Sequence, residues 1–148
     1  MPIYTRVLGT LSQEDMAEAI HTLSHKGCVD VLIVDKSDML RRRLRSRTES
    51  GTEVVVALDR SEQLSDGAIL SLEPEYALIV RTTEERWLSV EPRDQDAALE
   101  MGYFAGNLHW RVRFVPGAIL IALEGPVETY LDRLTPLSAD GKIKITLP

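Results

Sequence analysis

The chain has 148 residues, 44% hydrophobic and 27% charged, with 17 Lys and Arg against 23 Asp and Glu for a formal net charge of −6. This is an ordinary globular composition, sufficient for one domain or two small ones, and it excludes disorder. No run reaches the roughly 18 apolar residues of a membrane span, and the first residues hold no apolar signal core, so a cytoplasmic, non-membrane protein is expected.

Residues 3–8 are expected to form a strand. Ser12-Gln13-Glu14-Asp15 opens a helix with a hydroxyl cap and an acidic first turn. Met16, Ala19, Ile20 and Leu23 share one face of that helix, which should run to about Lys26 and stop at Gly27. Short apolar or alternating runs follow at 29–34, 40–48, 54–58, 68–72 and 76–81. Polar and glycine turns separate them at the spacing of a small antiparallel sandwich.

The pattern then changes. A strand is expected at 86–90, then a helix at 94–105 with Ala97, Ala98, Met101, Phe104 and Ala105 on one stripe, ended by Gly106-Asn107. Strands at 110–115 and 118–123 join at Pro116-Gly117. A helix from about 126 to 134 turns Val127, Tyr130, Leu131 and Leu134 inward, and a strand at 142–147 closes the chain. The order βαββαβ is that of the ferredoxin-like plait. The expected class is α+β, with a β-rich domain at residues 1–83 and a ferredoxin-like domain at 84–148.

Among the side chains that could carry chemistry, Arg41, Arg43, Arg45 and Arg47 would line one face of a strand. Such a ladder can grip phosphates, or simply solvate an exposed sheet edge. Its half of the chain is net negative and lacks interleaved aromatics, so no nucleic-acid partner is expected and an acidic protein is preferred. His21 and His25 stand at i and i+4, able to chelate a divalent ion from the water-facing side of the first helix or to serve there as ordinary polar residues. Cys28 follows the helix-ending glycine and reads as a small apolar residue. No nucleophile elbow, phosphate loop or dinucleotide fingerprint is present, which leaves a non-enzyme.

His109 stands between a helix end and a strand, in Tyr103-Phe104-Ala105-Gly106-Asn107-Leu108-His109-Trp110. Alone, a histidine there reads as a cap or a packed ring. The segment resembles the Gly-Asn-Arg-His segment of the UreE family of urease accessory nickel chaperones, with Leu108 in the arginine position. Arg47 to Val54, Leu58-Asp59-Arg60 and Leu64-Ser65-Asp66-Gly67-Ala68-Ile69-Leu70 likewise look like that family's glycine turn, strand and "Leu-x-Asp-Gly-x-x-Leu" turn. The likeness spans about residues 29–134.

The resemblance implies an N-terminal β-sandwich similar to chaperone peptide-binding domains, followed by a C-terminal ferredoxin-like domain that dimerises. It implies that His109 binds Ni(II) across the two-fold of a homodimer, as cargo for urease active-site assembly. The implied partners are the urease apoprotein and its other accessory proteins, a GTPase-containing complex among them, and Zn(II) or Cu(II) are further ions for the same imidazoles in vitro.

Three histidines and one cysteine cannot close a zinc-type site within one chain. A two-fold axis doubles each ligand, so His109 and its symmetry mate would supply two nitrogens and leave the remaining positions open, as delivery requires. Only neutral imidazole binds, so affinity is expected to fall as pH drops through about 6.5. Met101, Phe104 and Trp110 would be either the dimer contact around the metal or the core stripe of their helix. The competing expectation is a protein-interaction scaffold of the same fold without a metal role.

Overall fold

The computed structural model describes residues 1–83 and 85–148; residue 84, where the second expected region begins, lies outside the described residues. Among the described residues eleven strands form three sheets, accompanied by four helices, in a mixed α+β fold.

Only the first two residues of the strand expected at 3–8 are in a strand, and a second two-residue strand follows just beyond the expected span in a different sheet. β1 (Ile3–Tyr4) lies parallel to β5 (Glu53–Ala57), and β2 (Gly9–Thr10) lies antiparallel to β6 (Ala68–Glu73). The first sheet has the order β1-β5-β4, where β4 is Arg43–Arg47. The second has the order β2-β6-β7-β3, with β3 at Val29–Val34 and β7 at Tyr76–Thr82. The purely antiparallel pairing expected here is corrected in two places, because β1–β5 and β3–β7 run parallel. The helix α1 (Glu14–His25) delivers the chain to β3 and so lets β3 align with β7 in the same sense.

The two sheets pack face to face over Leu32, Val34, Leu44, Val54, Val56, Leu70, Leu78 and Val80. Helix α1 covers the opposite face of the second sheet, where Ile20 and Leu23 meet Ile69, Ala77 and Ile79. Strand β7 is therefore sandwiched, which explains why Ala77-Leu78-Ile79-Val80 is an unbroken apolar run with every member buried. A four-residue helix, α2 (Lys36–Met39), capped by Asp35, replaces the turn and early strand expected around residues 37–42.

The start of α1 also differs from expectation. Ser12 is buried and pairs with the Thr10 hydroxyl at 2.6 Å, so the cap position falls to Gln13, whose side chain accepts from the Thr10 amide instead. The end agrees: Gly27 takes φ +70°, its N–H reaches the Ser24 carbonyl, and the Cys28 N–H reaches the Leu23 carbonyl. Those two bonds are a Schellman closure.

From β8 (Trp87–Pro92) onward the chain continues as α3 (Gln95–Asn107), β9 (Val112–Val115), β10 (Ala118–Ala122), α4 (Val127–Ala139) and β11 (Ile143–Thr146). The sheet order β11-β8-β10-β9, antiparallel throughout, is the ferredoxin-like arrangement. Both helices cover one face, packing Met101, Ala105, Tyr130, Leu134 and Leu137 onto Leu88, Val90, Ile119, Ile121 and Ile143. Helix α4 runs past the expected end at residue 134 and through Pro136, because its inward stripe continues to the buried Leu137.

The two parts of the chain meet tightly. The backbone of Gly67, at φ +84°, lies so close to Glu124 that a Cβ there would overlap the Glu124 carbonyl, and a Cβ on Gly125 would overlap the Ser12 hydroxyl. Glu14 of α1 pairs with Arg133 of α4 at 2.8 Å. No helix among the described residues is long and apolar enough to cross a membrane.

Candidate metal centre

Helix α3 does not stop at Gly106-Asn107. It runs through them, and the chain closes one residue later: the His109 N–H bonds the Gly106 carbonyl at 3.1 Å and the Trp110 N–H bonds the Ala105 carbonyl at 3.1 Å. This is a second Schellman closure, with His109 in the left-handed position that glycine usually occupies. At φ +59° His109 is the one non-glycine residue with positive φ among the described residues. Histidine tolerates that region better than most residues but still bears a cost of about 1–2 kcal/mol. Trp110 completes the motif with an apolar contact, its ring 5.7 Å from Phe104 and 5.1 Å from Tyr130. The strained backbone turns the His109 imidazole outward while Trp110 is buried beside it.

The outward ring meets α1. The His109 and His21 imidazoles stack with centroids 4.0 Å apart and planes inclined by 15°. His25, one turn further along α1, meets His21 edge to face, and their Nε2 atoms are 3.0 Å apart. All three histidines of the chain thus form one exposed cluster. The sequence placed His21 and His25 on the water-facing side of α1, as observed, but nothing in it pointed to His109 as their neighbour.

Desolvation by the neighbouring rings, and then the proximity of His109 and His25, hold the His21 pKa below the usual imidazole value. The stacked planes of His21 and His109 do not aim their nitrogens at one point. Accordingly, no set of three or more His, Cys, Asp or Glu among the described residues converges on a metal position.

Beneath the cluster lies a cavity of about 140 Å³ lined by His21, His109, Arg81, Arg111, Glu124 and Tyr130, among others. Glu124 is buried, pairs with Arg81, and stands 3.6 Å from Arg111 Nε, while Arg111 also reaches Glu85 at 3.1 Å. The Glu124 amide donates to the Tyr130 hydroxyl at 3.0 Å. These groups tie β7 to the strand-to-helix loop before α4. Sequence reasoning missed them, since each is a common surface residue type and only the fold brings them together.

Of the other candidates, Arg43, Arg45 and Arg47 point outward from β4 with Leu44 inward, as expected for a strand, and Glu53 across the ladder pairs with both Arg45 and Arg47. Arg41 precedes the strand and pairs with Asp38. Cys28 is half-buried against the α1 core. Met101 and Trp110 are buried in the plait core, and Phe104 packs against it, which decides between the two readings of that stripe in favour of the core. Exposed apolar residues of this region include Leu99 (69%), Tyr103 (78%) and Phe114 (78%). Phe114 lines an apolar groove of about 240 Å³ between α3 and the β9–β10 turn.

Comparison with known proteins adds an independent line. Residues 6–83 match the family described as UreE urease accessory protein, N-terminal domain. The chain is 43% identical to Urease accessory protein UreE 1 of Pseudomonas syringae pv. syringae (strain B728a) over 97% of this chain and 99% of that protein. The same figures hold for the protein of that name from Pseudomonas syringae pv. tomato (strain ATCC BAA-871 / DC3000). Urease accessory protein UreE of Geobacillus kaustophilus (strain HTA426) is 26% identical over 72% of each chain.

Proposed function

The chain belongs to the UreE urease accessory protein family, and from that premise we propose that it is a cytoplasmic nickel metallochaperone rather than an enzyme. It binds Ni(II) as cargo at paired His109 residues of a homodimer and passes it toward urease assembly. The observation that carries this reading is the backbone of His109: an imidazole held outward from a strained left-handed position, where glycine would be cheaper, is a feature that folding alone does not explain.

Residues 84–148 make the metal-binding and dimerising domain in this reading. The exposed pair Leu99 and Tyr103, at i and i+4, leads along α3 toward His109, and Phe114 flanks it, an apolar surface suited to a second copy of the chain. Two imidazoles at the two-fold leave the other coordination positions of Ni(II) to water or to a recipient, so the ion is held without being enclosed. Zn(II) and Cu(II) would compete for the same nitrogens in vitro. Residues 1–83 present a sandwich whose outward arginines on β4 suit an acidic surface on urease or its accessory proteins.

The test is equilibrium dialysis with Ni(II) on the wild type and on His109→Ala, with mass measurement of the oligomer. A loss of about one tight ion per dimer in the variant relative to the wild type supports the chaperone. Tight uptake unchanged by the substitution refutes it and favours a scaffold without a metal role at His109.

A further inference from the structure

The geometry points to a second cation site made by His21 and His25, beside His109 and distinct from it. The inference rests on the chaperone reading for its biological sense but not for its chemistry.

The two Nε2 atoms are 3.0 Å apart on an exposed helix face. A first-row divalent ion bound at about 2.1 Å from each of two nitrogens in cis positions sets those nitrogens about 3.0 Å apart, so the pair already has the bite of a chelate. With no ion present, one ring donates its Nε2–H to the other. Binding requires that the donating ring carry its proton on Nδ1 and that the rings turn until both Nε2 lone pairs face one point, which the exposed side chains can do without moving the helix. Spacing at i and i+4 fixes both rings on one side of α1, so little side-chain entropy is lost on binding.

A second observation gives the pair a role. His109 stacks on His21 at 4.0 Å, and the parallel planes prevent one ion from being held by all three nitrogens at once. An ion on the pair therefore lies one ligand exchange from His109: rotation of a ring releases one nitrogen as another arrives. His21 and His25 form the loading position from which Ni(II) passes to the His109 site.

Equilibrium dialysis of the full chain against Ni(II) alone at pH 8 tests this with three proteins: wild type, His109→Ala, and the double variant His21→Ala with His25→Ala. Alanine on the exposed face of α1 keeps the helix. The expected capacities are about 1.5 ions per chain for wild type, about 1 for His109→Ala and about 0.5 for the double variant, one ion per pair plus one shared per two chains. Nickel should also reach the His109 site at least about tenfold more slowly in the double variant at equal protein and metal, since the chelate's proximity is lost.

A wild-type capacity of about 0.5 per chain that the double variant retains overturns the second site and leaves the chaperone reading intact. A capacity of about 1 that only the double variant abolishes supports the pair and removes the His109 site. Equal loading rates in the double variant and the wild type overturn the loading role.

Discussion

His21 and His109, one near the start of the chain and one near the end of α3, stack their imidazoles 4.0 Å apart and nearly parallel. Neither lies in the same sheet system as the other, so their contact depends on how the first β layers seat against the ferredoxin-like plait.

His109 occupies a left-handed backbone position. Replacing it with glycine should therefore separate folding from binding. His109→Gly is expected to raise stability by about 1 kcal/mol, a gain of about 2–4 °C in Tm, while the ion shared at His109 is lost. His109→Ala should lose the ion without the gain, because alanine also bears the left-handed cost. Calorimetry and dialysis on the same two proteins check both effects.

Gly67 is required twice over, by its φ of +84° and by the Glu124 carbonyl facing it. Gly67→Ala has to open the junction between β6 and the loop before α4. A loss of at least about 3 kcal/mol is expected in urea unfolding, above the common range for single substitutions. The His21–His109 contact should loosen with it, seen as weaker Ni(II) retention.

Glu124 neutralises Arg81 and lies beside Arg111 in a position that is 5% exposed. Glu124→Ala leaves two guanidinium groups facing each other without the carboxylate. Because both arginines keep some contact with water, the cost should be about 2 kcal/mol rather than the 3–5 kcal/mol of a fully buried broken pair. Glu124→Gln should retain part of the stability by keeping a carbonyl for the arginines. Midpoints of urea unfolding rank the three proteins.

Asp66 accepts from the Thr82 amide at 3.1 Å, yet burial first, and then the nearby Glu124, push its pKa above the usual carboxylate value. Arg81 and Arg111 pull the other way without cancelling this. The folded state thus binds a proton at Asp66 more readily than the unfolded chain does. Ionised Asp66 opposes folding at neutral pH, and that opposition fades as pH falls through the raised pKa toward 3.8. Asp66→Asn keeps an acceptor for Thr82 and carries no charge. Its Tm should exceed the wild type's at pH 7 to 8, and the difference should shrink as pH falls toward 4. A difference constant over that range counts against this account.

Local signals were readable where local physics decides the outcome. The strand Val29–Val34 is where the apolar run puts it, Gly27 ends α1 by a left-handed closure, and the βαββαβ order follows from periodicity. The misses share one cause, namely that tertiary packing overrides a local rule. Gly106 and Asn107 are ordinary stop signals, but the core stripe of α3 continues, and His109 takes the closing position instead. Pro136 is a helix breaker that α4 runs through because Leu137 is buried beyond it. Residues 3–8 read as one strand, yet the chain leaves the first sheet after Tyr4 and joins the second at Gly9. At the candidate metal centre, the place of His109 between a helix end and a strand was legible in the chain, whereas its meeting with His21 and His25 was not, since a long stretch of intervening sequence carries no mark of which surface α1 will face.

Trp110 adds a practical property to the site. Its indole is buried between Phe104 and Tyr130 and is adjacent in the chain to His109. The other tryptophan, Trp87, lies on the sheet beneath the guanidinium groups of Arg111 and Arg113. An open-shell ion arriving at His109 would drain the excited state of Trp110, so the protein contains its own optical reporter. With Trp87 replaced by phenylalanine, the remaining emission would dim as the ion is captured and brighten as it departs, turning delivery into something visible in real time without a label.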